Sequence, residues 1–375
     1  MDQRIICSAN DYKELEEWFD ENVINGNLLF VHDDSLKFMD GFRKRVEEIA
    51  KGKNTSITYF NDFQPNPLYE SILKGVYHFR NQKGSAIIAV GGGSAIDVAK
   101  CIKLYSNLQG NGEDGSWLRA EIIPNTIPFL AMPTTAGTGS EATRYAVVYY
   151  NGAKQSVTSD SFIPATVLMD PNALKTLPIY QKKATMCDAL CHAIESFWSV
   201  NSTDESKEYS REAIQGVLQY MDGYLSNTEE GNAGMLMAAH KAGQAINITQ
   251  TTAGHAMCYK ITSLFGCAHG HAAILCDRVL YPWIIENVNK CSDSRGAEYL
   301  RRILNEIGVA LGCENAEAGA ERLEKLFINL ELPVPEATEE DYDELIHSVN
   351  PVRLKNHPIQ LDEITINDLY HKILR

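Results

Sequence analysis

The chain has 375 residues, enough for two domains with substantial cores, and its 44% hydrophobic and 22% charged content is ordinary for a globular protein. A formal net charge of −15 argues against nucleic acid or an anionic membrane surface as a partner, so an anionic small molecule would need its own cluster of Lys and Arg. Nine cysteines without a C-x-x-C pair read as reduced thiols of a cytoplasmic protein, and neither a leader-like start nor an apolar run of membrane-spanning length is present.

In chain order, the first half alternates apolar runs with amphipathic stretches. LLFVH (28–32), ITYF (57–60), AIIAV (86–90), PFLAM (128–132) and TVLMD (166–170) predict buried strands of a parallel sheet. KFMDGFRKRVEEIAKG and PLYESILKGVYHFRNQ, lying between them, have helical spacing. This alternation predicts a doubly wound α/β domain over residues 1–178. Beyond LKTLPIY the long segments are all helix-like, from ATMCDALCHAIESFWSV through GAERLEKLFINLEL. No strand is expected there, and residues 179–375 read as an all-helical domain. LPVPEATEED (332–341) reads as a loop leading into a helix start.

Three segments carry chemistry. AIIAVGGGSAIDVAK is a strand, a glycine turn and a helix start. Gly91, Gly92 and Gly93 would let backbone approach a pyrophosphate, and the helix beginning near Ser94 would offer free N–H groups and the positive end of its dipole. The loop MPTTAGTGSEATR follows the next strand and offers the hydroxyls of Thr134, Thr135, Thr138 and Ser140 where open sheets bind ligands. Asp33, at the end of an earlier strand, is placed to accept hydrogen bonds from a ribose and to repel a 2′-phosphate; a helix cap is its structural alternative. The third constellation is a donor set. Asp188 and His192 in DALCHAIE are four apart and would share one helix face. His255 would sit on another helix that Gly266 ends, with a short loop returning His269. One carboxylate and three imidazoles suit Fe2+ or Zn2+ with room for a substrate oxygen. A cysteine-based structural zinc site is the competing reading, with Cys187, Cys191, Cys258 and Cys267 nearby.

Together these residues resemble the iron-containing (group III) alcohol dehydrogenases. GGGSAIDVAK, PTTAGTGSEAT, DPNALKTLP, DALCHAIES and GHAMCYKITSLFGCAHG match that family's motifs in order across nearly the whole chain. The resemblance implies a dehydroquinate synthase-like architecture, with an α/β dinucleotide-binding domain, a helical domain, and the metal in the cleft between them. It implies NAD(H) and one divalent metal as cofactors. It assigns the metal to Asp188, His192, His255 and His269, the pyrophosphate to Gly91 through Ser94 with Asp97 facing the cofactor, and the NAD-favouring acid to Asp33. The Thr134, Thr135 and Thr138 loop and Lys154 would border the cofactor. Where many members carry a further histidine four residues after the third ligand, this chain has Tyr259, followed by Lys260. HAMxYKxTSL with TGSEATRYAVVY is most similar to the phosphonoacetaldehyde reductases. That similarity implies reduction of phosphonoacetaldehyde to 2-hydroxyethylphosphonate. Tyr259 is a proton-donor candidate, and Arg144 and Lys260, the cations of the two ligand-bearing loops, are candidates to grip the phosphonate. The alternatives are a short-chain primary alcohol or diol dehydrogenase, a cofactor-retaining lyase of the dehydroquinate synthase type, and a non-catalytic metal-binding module. A cytoplasmic homodimer acting on a small aldehyde is expected, although no residue pattern shows the oligomer.

Overall fold

The structure is a computed structural model that describes residues 3–7, 12–23, 26–349 and 351–375. Its contacts divide the chain into two compact units, residues 1–135 with 140–177, and residues 136–139 with 178–375.

The first unit is built on a six-stranded parallel sheet. Its elements in chain order are β1 (Arg4–Cys7), α1 (Lys13–Asn22), β2 (Asn27–His32), α2 (Asp40–Gly52), β3 (Ser56–Phe60), α3 (Tyr69–Asn81), β4 (Gly84–Gly91), α4 (Gly93–Tyr105), β5 (Phe129–Pro133), a hairpin of β6 (Tyr145–Tyr150) and β7 (Ala153–Thr158), and β8 (Thr166–Met169). The strand order is β1-β8-β5-β4-β2-β3. Leu29, Val31, Ile87, Ala89, Phe129 and Ala131 face one core with residues of α3 and α4. Leu28, Phe30, Ala86, Ile88, Val90, Leu130 and Met132 face the other, against α1 and α2. Both sheet faces are covered, which is why the central strands read as unbroken apolar runs.

Two elements depart from the sequence expectation. β1 is a four-residue edge strand, parallel to β8. The β6–β7 hairpin is antiparallel and stands outside the main sheet. Its turn is Asn151-Gly152, both with positive φ (51° and 74°). That dipeptide is the strongest short hairpin signal a sequence carries, and it lies past the Thr-rich loop, in a stretch to which the sequence reading assigned no element.

Sheet order locates a binding crevice. From β2 the chain moves outward to β3, whereas from β4 it moves the other way to β5 and β8. The reversal falls between β2 and β4, and ligands of open α/β sheets bind at the carboxyl ends of strands there. Asp33 follows β2 and the three-glycine turn follows β4.

The second unit is helical: α5 (Ile179–Trp198), α6 (Asp204–Leu225), α7 (Glu229–Thr249), α8 (Ala253–Phe265), α9 (His269–Glu286), α10 (Ala297–Ala310), α11 (Ala316–Asn329), α12 (Glu339–Ser348), α13 (Pro351–Leu354) and α14 (Glu363–Ile373). Among its described residues the only strand-like pairing is an isolated bridge between Cys291 and Ile359. α5 packs against α6, α7, α9 and α10 and is buried almost all round from Met186 to Trp198. Thr203 and Thr338 start α6 and α12 with reciprocal capping boxes. Residues 136–139 lie against α5 and α7. A Cβ on Gly137 would stand 2.6 Å from the Thr185 carbonyl, and one on Gly139 2.5 Å from Gly243 Cα, so only glycine lets this loop in. No helix among the described residues is long and apolar enough to cross a membrane.

Candidate metal centre

Three helices and a tight connection assemble the donor cluster. α5 presents Asp188 and His192 one turn apart. His255 is the third residue of α8. Gly266 ends α8 in the left-handed region (φ 67°), and His269 is the first residue of α9. Asp188, His255 and His269 each place a ligand atom within 4.8 Å of the others. His255 Nε2 lies 3.3 Å from Asp188 Oδ1. His192 stacks on His255 with ring centroids 4.4 Å apart, and its Nε2 is 3.9 Å from the same Asp188 oxygen. Three of the four expected donors therefore form one group and the fourth stands beside it. Among the described residues no cysteine joins the group. Cys258 approaches it from behind, with Sγ 3.7 Å from His269 Nδ1.

A residue the sequence reading passed over holds the cluster. Glu195 is fully buried on α5, two turns after Asp188. Its Oε1 accepts from His255 N at 3.0 Å and from His255 Nδ1. Its Oε2 accepts from Thr252 N at 2.5 Å and Thr252 Oγ1 at 2.7 Å. With Nδ1–H donated to Glu195, Nε2 faces Asp188, and in the neutral ring it is Nε2 that carries the lone pair there. Such a carboxylate behind a ligating imidazole fixes its tautomer and raises its basicity. The signal was present in DALCHAIE, since Glu195 follows His192 by three, but a single acid on a helix face has no meaning until its partner on α8 is known.

Electrostatics agree with a cation site. Burial pushes the Asp188 carboxyl up, yet His192, His255 and His269 outweigh it and hold the group well below the usual carboxylate range. Burial opposes a charge on His255, but Glu195 and Asp188 raise it well above an ordinary imidazole. His192, dominated by burial, is pushed down to about 4. Two buried carboxylates, Asp188 and Glu195, both held in the ionised form, thus face the imidazole nitrogens. That donor set fits a divalent cation, and its N and O chemistry suits Fe2+ and Zn2+ alike.

Tyr259 and an arginine flank the cluster. The Tyr259 ring stacks on His269 at 5.3 Å and 12°. The Arg353 guanidinium lies over the other partner of that stack, 5.5 Å from the Tyr259 centroid, and its Nη1 donates to Thr251 Oγ1. Lys260, expected beside the site as a cation, is paired with Glu344. Arg144 stands over Tyr145 and 3.6 Å from Asp160. Neither expected cation is without a carboxylate.

In the α/β unit, Asp33 ties the crevice together. Its Oδ2 accepts from Gly92 N at 2.8 Å, and its Oδ1 accepts from Ser35 N and Oγ. Asp33 is thus a cap, the structural alternative noted above, at the position expected of a ribose acceptor. Thr134 N donates to Gly91 O at 3.0 Å, which sets the Thr-rich loop beside the glycine turn. Ser94 Oγ accepts from Asn66 N. Asp97 and Ser140 face inward: Ser140 Oγ and Val147 N donate to the two Asp97 oxygens at 2.5 and 2.9 Å. Buried Lys100 donates to the Ser140, Thr143 and Tyr145 carbonyls at 2.6–2.9 Å and so staples the loop to α4. Thr138 belongs with the helical unit, and Lys154 pairs with Tyr149 across the hairpin.

An α/β unit with a glycine turn at its switch point, followed by a helical unit with a buried Asp/His cluster, defines a metal-dependent oxidoreductase class. The chain belongs to the iron-containing alcohol dehydrogenase family: residues 2–171 match "Iron-containing alcohol dehydrogenase" and residues 182–374 match "Fe-containing alcohol dehydrogenase family, C-terminal". It is 29% identical to a phosphonoacetaldehyde reductase of Streptomyces viridochromogenes over 314 residues, covering 80% of this chain and 79% of that one. It is 28% identical to alcohol dehydrogenase 4 of Schizosaccharomyces pombe over 346 residues, 89% and 79% of the two chains. The same fold is found in the sulfoacetaldehyde reductase of Bifidobacterium kashiwanohense, solved with NAD+, at a TM-score of 0.85 and 24% identity over 99% of this chain and 96% of that one.

Proposed function

We propose that this protein is an NAD(H)-linked, metal-dependent reductase of small aldehydes that converts phosphonoacetaldehyde to 2-hydroxyethylphosphonate. The observation that carries the reaction class is the donor cluster of buried Asp188 and His255 with half-buried His269 in a member of the alcohol dehydrogenase family. Similarity to a phosphonoacetaldehyde reductase supports the substrate. In this reading Asp188, His192, His255 and His269 would hold one Fe2+ or Zn2+, which would supply Lewis acidity toward the carbonyl oxygen, and bound NADH would supply the hydride.

The chain's own residues then bind, orient and move a proton. N–H groups at Gly93 and Ser94, past Gly91 and Gly92, take the pyrophosphate, the Gly92 N–H being held by Asp33. Asp33, with three of its lone-pair sites engaged by Gly92 and Ser35, has one left for a ribose hydroxyl. Thr134 and Thr135 border the cofactor, with Asp97 and Ser140 shaping the loop behind them. Glu195 keeps His255 in the ligating tautomer. Tyr259, stacked on His269, walls the site and is the candidate to pass the proton that completes the alcohol. Arg144 and Lys260 would serve a phosphonate only by exchanging Asp160 or Glu344 for it.

The likeness to alcohol dehydrogenase 4 supports a second reading, a short-chain alcohol dehydrogenase for uncharged substrates. NADH oxidation measured with phosphonoacetaldehyde, acetaldehyde, glycolaldehyde and lactaldehyde at defined metal loading separates them. A higher kcat/KM for phosphonoacetaldehyde supports the first reading; preference for an uncharged aldehyde supports the second. A protein that retains its cofactor and shows no net NADH consumption is a lyase of the dehydroquinate synthase type.

A further inference from the structure

We propose that Arg353 is the specificity residue of this site and receives the tetrahedral oxyanion, phosphonate or sulfonate, of an anionic aldehyde. This deepens, and rests on, the reading of the site as an aldehyde reductase.

The Tyr259 ring stacks on the His269 imidazole and also has the Arg353 guanidinium over it, so one aromatic ring touches both a permanent positive charge and a metal-ligand candidate. The charge is held in place. Asn356, buried behind it, donates to the Thr251 carbonyl at 3.1 Å, accepts from Asn201 Nδ2 at 3.0 Å, and through its N–H bonds the Arg353 carbonyl at 3.1 Å. The short α13 is thereby pinned to the start of α8, the helix that carries His255 and Tyr259. Arg353 is half-buried, its Nη1 donates to Thr251 Oγ1, and it has no carboxylate partner among the described residues. That is unusual in a chain with 49 acidic residues against 34 Lys and Arg. Arg144 has Asp160 and Lys260 has Glu344. A guanidinium carries five N–H donors in a planar fork that matches a tetrahedral oxyanion. Thr251 takes one of them and the Tyr259 face takes none, which leaves an edge of the fork for a ligand. An uncharged aldehyde of the same length gains nothing from it.

The test compares the wild type with Arg353→Met and Arg353→Lys, using phosphonoacetaldehyde, sulfoacetaldehyde and propionaldehyde. Binding of methylphosphonate, measured by calorimetry on the metal-loaded protein, reads the subsite without turnover. In Arg353→Met, kcat/KM for the anionic aldehydes is expected to fall roughly ten- to hundredfold, mostly through KM, with propionaldehyde changed less than about threefold. Methylphosphonate affinity should fall in parallel, and Arg353→Lys should recover only part of each loss because it restores charge without the fork. Comparison of the two anionic aldehydes shows which oxyanion the site prefers. Equal losses on charged and uncharged aldehydes would reduce Arg353 to a structural role and overturn the proposal. So would unchanged methylphosphonate binding. If the wild type proves to favour sulfoacetaldehyde and the Arg353 dependence holds, the phosphonate substrate reading fails while this inference stands. If phosphonoacetaldehyde is reduced equally well by Arg353→Met, this inference fails while the substrate reading stands.

Discussion

Glu195→Gln is the most informative single change to the metal centre. The substitution keeps the side chain's shape, but it offers one acceptor oxygen where four donors converge: two from His255 on Oε1 and two from Thr252 on Oε2. If the amide turns its oxygen to His255, its NH2 faces the Thr252 N–H and hydroxyl. If it turns the other way, NH2 faces His255 Nδ1, and the imidazole can relieve the clash by moving its proton to Nε2, the nitrogen that faces Asp188. In that tautomer His255 cannot ligate. A hydrogen bond to a charged partner contributes about 1.5–3 kcal/mol, and loss of the carboxylate behind a ligating histidine costs about ten- to hundredfold in metal affinity. The two figures agree, since tenfold is about 1.4 kcal/mol. Zn2+ affinity measured by competition with a chromophoric chelator should therefore fall by that factor. Urea unfolding of the metal-free protein, run alongside, separates a weakened site from a weakened fold. A variant that folds normally and binds Zn2+ as tightly as the wild type would refute the role given to Glu195.

The donor cluster should behave as one unit: Asp188→Asn, His255→Ala and His269→Ala should each lower metal occupancy and turnover together, and chelation should inactivate the wild type until Fe2+ or Zn2+ is returned. Full occupancy with normal turnover in His255→Ala would remove the assignment. Like-charge contact between Asp33 and a 2′-phosphate should favour NADH over NADPH by roughly tenfold or more. Asp33→Gly should relax that ratio of kcat/KM and also lower the melting temperature, because the Gly92 N–H loses its acceptor; equal use of both cofactors by the wild type would sink the idea. His357 is buried, neither ring nitrogen has a hydrogen-bond partner among the described residues, and burial pushes its pKa down to about 4 from an ordinary 6.5. The folded state therefore resists protonation that the unfolded chain accepts, so stability is full above pH 6.5 and is lost as pH falls toward 4, by about 3 kcal/mol in all. His357→Leu should shrink the loss of urea stability between pH 7 and pH 4.5, and an unchanged acid slope would contradict this account.

Much of the fold was legible because burial on both faces leaves its mark on composition. A strand covered by α1 and α2 on one side and by α3 and α4 on the other has to be apolar at every position, and AIIAV or PFLAM stands out in any window. The helical half was equally plain, with long periodic segments and capping residues such as Thr203 and Thr338. The hairpin was missed although Asn151-Gly152 announced it, because β6 packs on α3 and α4 instead of joining the sheet, and YAVVYY lacks a clean apolar–polar alternation. Local chemistry was legible wherever a helix fixed the spacing: Asp188 and His192 at one turn, and His255 and His269 across a glycine-ended helix. What the sequence did not carry was pairing across elements. Whether Lys260 is an open charge depends on Glu344 of α12, whether Asp97 faces a ligand depends on Ser140 and Val147, and Glu195 acquires a role only when α8 brings His255 to it. Arg353 reaches Tyr259 through Asn356 and Thr251, contacts between segments about a hundred residues apart. Backbone periodicity is written into neighbouring residues, whereas the charge state and direction of a side chain are decided by whatever the completed packing sets against it.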